Sequence, residues 1–68
     1  MTIDDAHDAY IANIDQPHGK VYAGTVGRFQ EGFLSDGVTD DIDEAFCRAV
    51  DAASRVMMII KRKSELMA

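Results

Sequence analysis

The chain is poor in everything that staples or anchors a small protein. Its single cysteine, Cys47, cannot close an internal disulfide. Two histidines beside one cysteine are too few for a structural zinc site of the usual kind. Positive charge is scarce: seven basic residues face 12 acidic ones, for a net charge of -5. That balance argues against general affinity for nucleic acid, which needs clustered positive charge. The longest fully apolar run, Val56 to Ile60, is far too short to span a bilayer. Asp4, Asp5 and Asp8 stand where a signal peptide has its basic and apolar regions, and neither end carries a lipidation box. These absences lead us to expect a cytoplasmic protein with no membrane partner. A chain of 68 residues makes one domain at most. Ordering it costs about 1.5 kcal/mol per residue, which the burial available to a single small core barely offsets. Domains of this size often lean on a disulfide, a metal or a partner. With the first two excluded, a partner is the remaining support.

What the chain does have is one long apolar stripe. Ile42, Phe46, Ala49, Ala53, Val56, Ile60 and Met67 succeed one another at steps of four, three, four, three, four and seven, with no Gly or Pro between them. Ala45, Ala52, Ile59 and Leu66 form a second column at steps of seven. This is one face of a helix, and such a face must be covered. Helix spacing over 40–66 gives an element of about 25 residues, or roughly 38 Å. Asp40, Asp41, Asp43 and Glu44 load its start with negative charge, and Lys61, Arg62 and Lys63 load its end with positive charge, both favourable to the helix dipole. Thr39 or Asp40 is the expected cap.

Two shorter elements precede it. Ile3, Ala6, Tyr10 and Ile14 mark a helix over 3–15, capped by Thr2 or Asp4 and stopped by Gln16-Pro17-His18-Gly19. Over 20–34, Tyr22, Val26, Phe29 and Phe33 form a helical column, weakened by Gly24 and Gly27. Val21, Tyr22, Thr25 and Val26 also suit a strand, but a lone short hairpin is poorly supported. The helical reading is preferred, with the two glycines allowing close helix approach. Gly37 is a natural left-handed terminator. The expected fold is therefore all-α: two short helices and one long C-terminal helix, completed by dimerisation.

The narrow waist at Ala49, Ala52 and Ala53, between Phe46, Val56 and Ile60, suits a crossed or antiparallel helix pair across a two-fold axis. The expected self-interface is accordingly Ile42, Phe46, Ala49, Ala53, Val56 and Ile60. The bland reading of the same residues is a three-helix core within one chain. Val56 to Ile60 is apolar all round the helix, so Met57 and Met58 cannot both face one core. Together with Asp40, Asp41 and Asp43 they form a candidate second surface for another protein.

Other features carry less chemistry. The basic Lys61-Arg62-Lys63 points in three directions and reads as dipole compensation. The acidic turn lacks the alternation of a calcium loop. His7 with Asp4 and Asp8 has no deep pocket around it. His18 reads as a solvent-facing turn residue. Cys47 has no neighbouring histidine to activate it. Gly24-Thr25-Val26-Gly27-Arg28 lacks the lysine and hydroxyl of a phosphate loop, and Arg28 is a candidate ion partner for Glu31 or Asp36. No cofactor, metal site or catalytic centre is expected. The functional expectation is a small acidic accessory or regulatory protein, homodimeric, that acts by binding another protein. The alternative is an acidic stoichiometric inhibitor of a nucleic-acid-handling protein, of the phage counter-defence or antitoxin type. A nucleic-acid-binding dimer is the weaker third reading.

Overall fold

A computed structural model describes the backbone of residues 1–67 and the side chains of residues 1–63. Three helices run in order: α1 (Ile3–Ile14), α2 (Gly19–Ser35) and α3 (Ile42–Met67). The fold is all-α, with two shorter helices and a long third one.

Each helix begins and ends for a local reason. The Thr2 hydroxyl accepts from the Asp5 backbone N–H at 3.2 Å, and Asp4 and Asp5 occupy the first turn of α1. Pro17 closes the corner after α1, and the Gly19 N–H donates to the Gln16 carbonyl at 2.9 Å. Gly19 is required there, because a Cβ would run into the carbonyl oxygen of Ile14. Residues 19–35 are helical throughout, so the strand reading of this segment is excluded. Gly24 and Gly27 have a different role from the one expected. A Cβ at either would meet nothing, so they mediate no close helix contact. α2 stops at Gly37, whose φ of 75° lies in the left-handed region. The Val38 N–H then reaches the Phe33 carbonyl at 3.0 Å and the Gly37 N–H that of Leu34 at 3.4 Å, a paired termination.

The cap of α3 is Asp41, one residue beyond the expected Thr39 or Asp40. Its carboxylate accepts from the backbone N–H groups of Asp43 at 2.9 Å and Glu44 at 3.3 Å. Thr39, buried, braces the turn instead. Its hydroxyl accepts from the Asp41 N–H at 3.1 Å and donates to Glu44 at 2.7 Å. Glu44 also takes an ion pair from Arg48 at 3.0 Å. The Thr39 and Arg48 hydrogen bonds hold the Glu44 carboxyl below its ordinary value.

The core lies where all three helices meet. Ala6 of α1, Tyr22 and Val26 of α2, and Ala49, Val50 and Ala53 of α3 form one buried cluster. Alanines at Ala45, Ala49 and Ala53 keep α3 thin on that face, so that large side chains of its neighbours fit against it. Tyr22 is the largest of the fully buried side chains. Tyr10 packs 5.8 Å from Tyr22 and 5.5 Å from Phe46, ring centre to ring centre, tying α1 to both other helices. This core closes within one chain. Ala49 and Ala53, read from sequence as the waist of a dimer, are here packed inside the bundle.

Candidate functional site

The bundle and its longest helix differ in length. At 26 residues α3 runs about 39 Å, against about 26 Å for the 17 residues of α2 and about 18 Å for the 12 of α1. The molecule extends 42 Å along its long axis and only 23 and 19 Å across. The C-terminal part of α3 therefore projects past the corner between α1 and α2 as an arm. Met58, Ile59 and Ile60 on that arm are 68%, 61% and 51% exposed.

A half-open groove of about 490 Å³ lies in the angle between arm and bundle. Asn13 and His18 line it from the corner; Ser54, Met57, Met58, Ile60 and Lys61 line it from α3. The corner side is rigidly built. Asn13 donates to the Ala9 carbonyl at 2.8 Å and its amide oxygen lies 3.1 Å from His18 Nε2. His18 also sets its ring edge-on to Tyr22, with centroids 6.4 Å apart. It is thus half-buried and hydrogen-bonded, not the free turn residue expected. The α3 side is mainly apolar, and its Met57 and Met58 are side chains of a type that adapts to a guest. On the opposite side of Met58, a shallower depression of about 230 Å³ adds Arg55, Ile59 and Arg62.

The residues expected at a self-interface divide into three groups. Ala49 and Ala53 are wholly buried, and Phe46 packs against the same core beneath His7 and Tyr10. Val56 is half-buried where α3 leaves the bundle. Ile42 and Ile60 are exposed at opposite ends of the stripe. A single contact surface made of all six does not exist in this chain. The expected second surface also separates. Met57 and Met58 sit on the groove, while Asp40, Asp41 and Asp43 lie in the α2–α3 turn, where Asp41 is occupied with capping.

Sequence reading missed Asn13, His18 and Ser54 as groove residues. The only signal for them was the shortfall in length of α1 against α3. Arg28, expected beside Glu31 or Asp36, makes no ion pair among the described residues; the pairs formed are Arg48–Glu44 and Arg55–Asp51. Cys47 is half-buried beside a shallow depression lined by Met1, Glu44, Arg48 and Asp51. Among the described residues no three histidine, cysteine or carboxylate side chains gather as a metal-holding group, and no helix is long and apolar enough to cross a membrane.

These features define a small three-helix bundle with a projecting apolar and basic arm. No protein-family model matches the chain, and neither does any curated protein or solved structure. The geometry alone points to function.

Proposed function

We infer that this protein is a helical protein-interaction module, an accessory or regulatory factor that acts by engaging another protein chain through the α3 arm and the groove beneath it. The observation that carries this reading is the run Met58-Ile59-Ile60, left more than half exposed beside an apolar groove with a well-ordered polar corner. Met58 and Ile60 open onto the groove and Ile59 onto the depression on the other side of Met58, an exposed apolar band of the kind that soluble proteins reserve for partners. Met57 and Met58 give the surface the adaptability common at protein-binding faces.

The acidic-inhibitor alternative has less support. Asp41 is engaged in capping α3 and Glu44 in bonds to Thr39 and Arg48, so two of the turn's carboxylates serve the helix start.

The test is affinity capture from the native host with wild type and a Met58→Asp/Ile59→Asp double variant. Circular dichroism first establishes that both are equally helical. A protein retained in stoichiometric amount by wild type and lost by the variant supports the reading. Equal recovery of every bound protein by the two forms contradicts it.

A further inference from the structure

We propose that the arm's partner is a second copy of this chain: two protomers dock about a two-fold axis, each laying its α3 arm against the other's α1–α2 corner. The proposal rests on the interaction-module reading above and supplies the partner for that same surface.

A core-type face continues here beyond its own core. Ala45, Ala49, Ala53, Val56 and Ile60 succeed one another at steps of four, four, three and four on one side of α3. The three alanines are fully buried, Val56 is half-buried, and Ile60 is exposed. The helix keeps its apolar face after its own bundle has ended. A second bundle's arm placed alongside restores the cover that α1 and α2 are too short to give.

Charge points the same way. Up to position 54 the chain carries eleven acidic residues against three basic; from Arg55 on it carries four basic against one acidic. The acidic part repels nucleic acid and anionic lipid, and attracts the basic arm of another copy. The polarity is local as well. α1 is capped by Asp15 and has no basic residue in its last turn, so no side-chain cation offsets the negative end of its dipole, two residues on from Asn13 of the groove. Lys61 of the same chain lines that groove, yet no ion pair joins it to Asp15 among the described residues. In the two-fold arrangement, the basic tip of one arm reaches the partner's acidic corner, and the contact occurs twice.

The two ends of the stripe are not equivalent. Ile42 lies on the same stripe and is 65% exposed, but it sits next to the acidic turn and does not line the groove. The Ile60 end combines exposed apolar surface, the groove and a basic neighbour, Lys61.

Sedimentation equilibrium from micromolar to millimolar concentration tests this, with vesicles of anionic lipid and a duplex DNA run as parallel probes. Wild type is expected to dimerise in that range. Ile60→Glu weakens the dimer by about tenfold or more, as expected for a central apolar contact. Ile42→Glu leaves the dissociation constant unchanged to about twofold. Asp15→Lys weakens the dimer, and adding Lys61→Glu and Lys63→Glu in the same chain restores it. All forms are checked for native helix content, so that loss of mass is not loss of fold. Monomer at every concentration overturns the proposal, as does equal weakening by the two isoleucine changes, failure of the charge swap to rescue, or binding to the vesicles or DNA without self-association. In the monomer outcome the capture experiment still decides the interaction-module reading separately.

Discussion

The two halves of α3 carry the same apolar stripe and end in opposite situations. In the first half, Ala45, Ala49 and Ala53 are completely buried, the last two in the core shared with α1 and α2. In the second, Ile60 continues that face about half exposed at 51%, and Met58 and Ile59 broaden the exposed surface. One rule of burial thus produces a core where two helices are present and an exposed apolar surface where they have ended. The side-chain sizes match the division. On this face the small Ala45, Ala49 and Ala53 lie in the buried half, and the larger Ile60 lies beside the groove.

Substitution brings out the contrast most strongly at the buried end. Ala53→Glu places an unpaired carboxylate in the core and should cost at least about 3 kcal/mol, enough to unfold a bundle of this size. Ile60→Glu, in dilute protein, should change stability by no more than about 0.5 kcal/mol. Thermal melts of the two variants check both values. Comparable destabilisation would mean that the arm is packed as tightly as the body.

Smaller effects separate the joints of the body. Gly19→Ala drives a methyl group into the Ile14 carbonyl and should cost about 1–3 kcal/mol by denaturant titration. Asp41→Ala removes the α3 cap and should cost about 1 kcal/mol, whereas Asp40→Ala should be nearly silent. Gly24→Ala lies on an open helix surface and should stabilise by up to about 1 kcal/mol. A loss of stability there would show that the face of α2 carrying Gly24 is in contact with something.

The α2–α3 turn adds a pH dependence. The Glu44 carboxyl is held low first by the Thr39 hydroxyl and then by Arg48, so its folded value lies below its unfolded one. Its contribution is therefore fully present above the unfolded value and is lost as pH falls through the folded value. Glu44→Gln should lower the melting temperature at neutral pH, and the gap from wild type should narrow in acid.

Much of the fold was legible because its signals are local. The α2–α3 break needed only Gly37, and the α1 cap only Thr2 and its neighbouring aspartates. The cap of α3 was misplaced by one residue because Asp40 and Asp41 are chemically equivalent in sequence. Only the backbone path chooses which carboxylate faces the free N–H groups of Asp43 and Glu44. The glycines of α2 were misjudged for a related reason: small size permits close approach but does not say which face receives a neighbour. The stripe on α3 showed that a face must be covered, and could not say by which chain. Ala49 and Ala53 are satisfied internally, while Ile60 is not, and that distinction depends on where α1 turns. The corner residues Asn13 and His18 had no pattern to announce them, because their role comes from a three-dimensional length mismatch.

Amide hydrogen exchange along α3, measured on dilute and on concentrated protein, separates its two halves without any substitution. Amides around Ala49 and Ala53 should be protected equally in both samples. Those from Met58 to Lys61 should exchange fast when dilute and slow when concentrated, as a second copy covers the arm. Uniform protection along α3 at every concentration would contradict the division of the helix into a core half and a docking half.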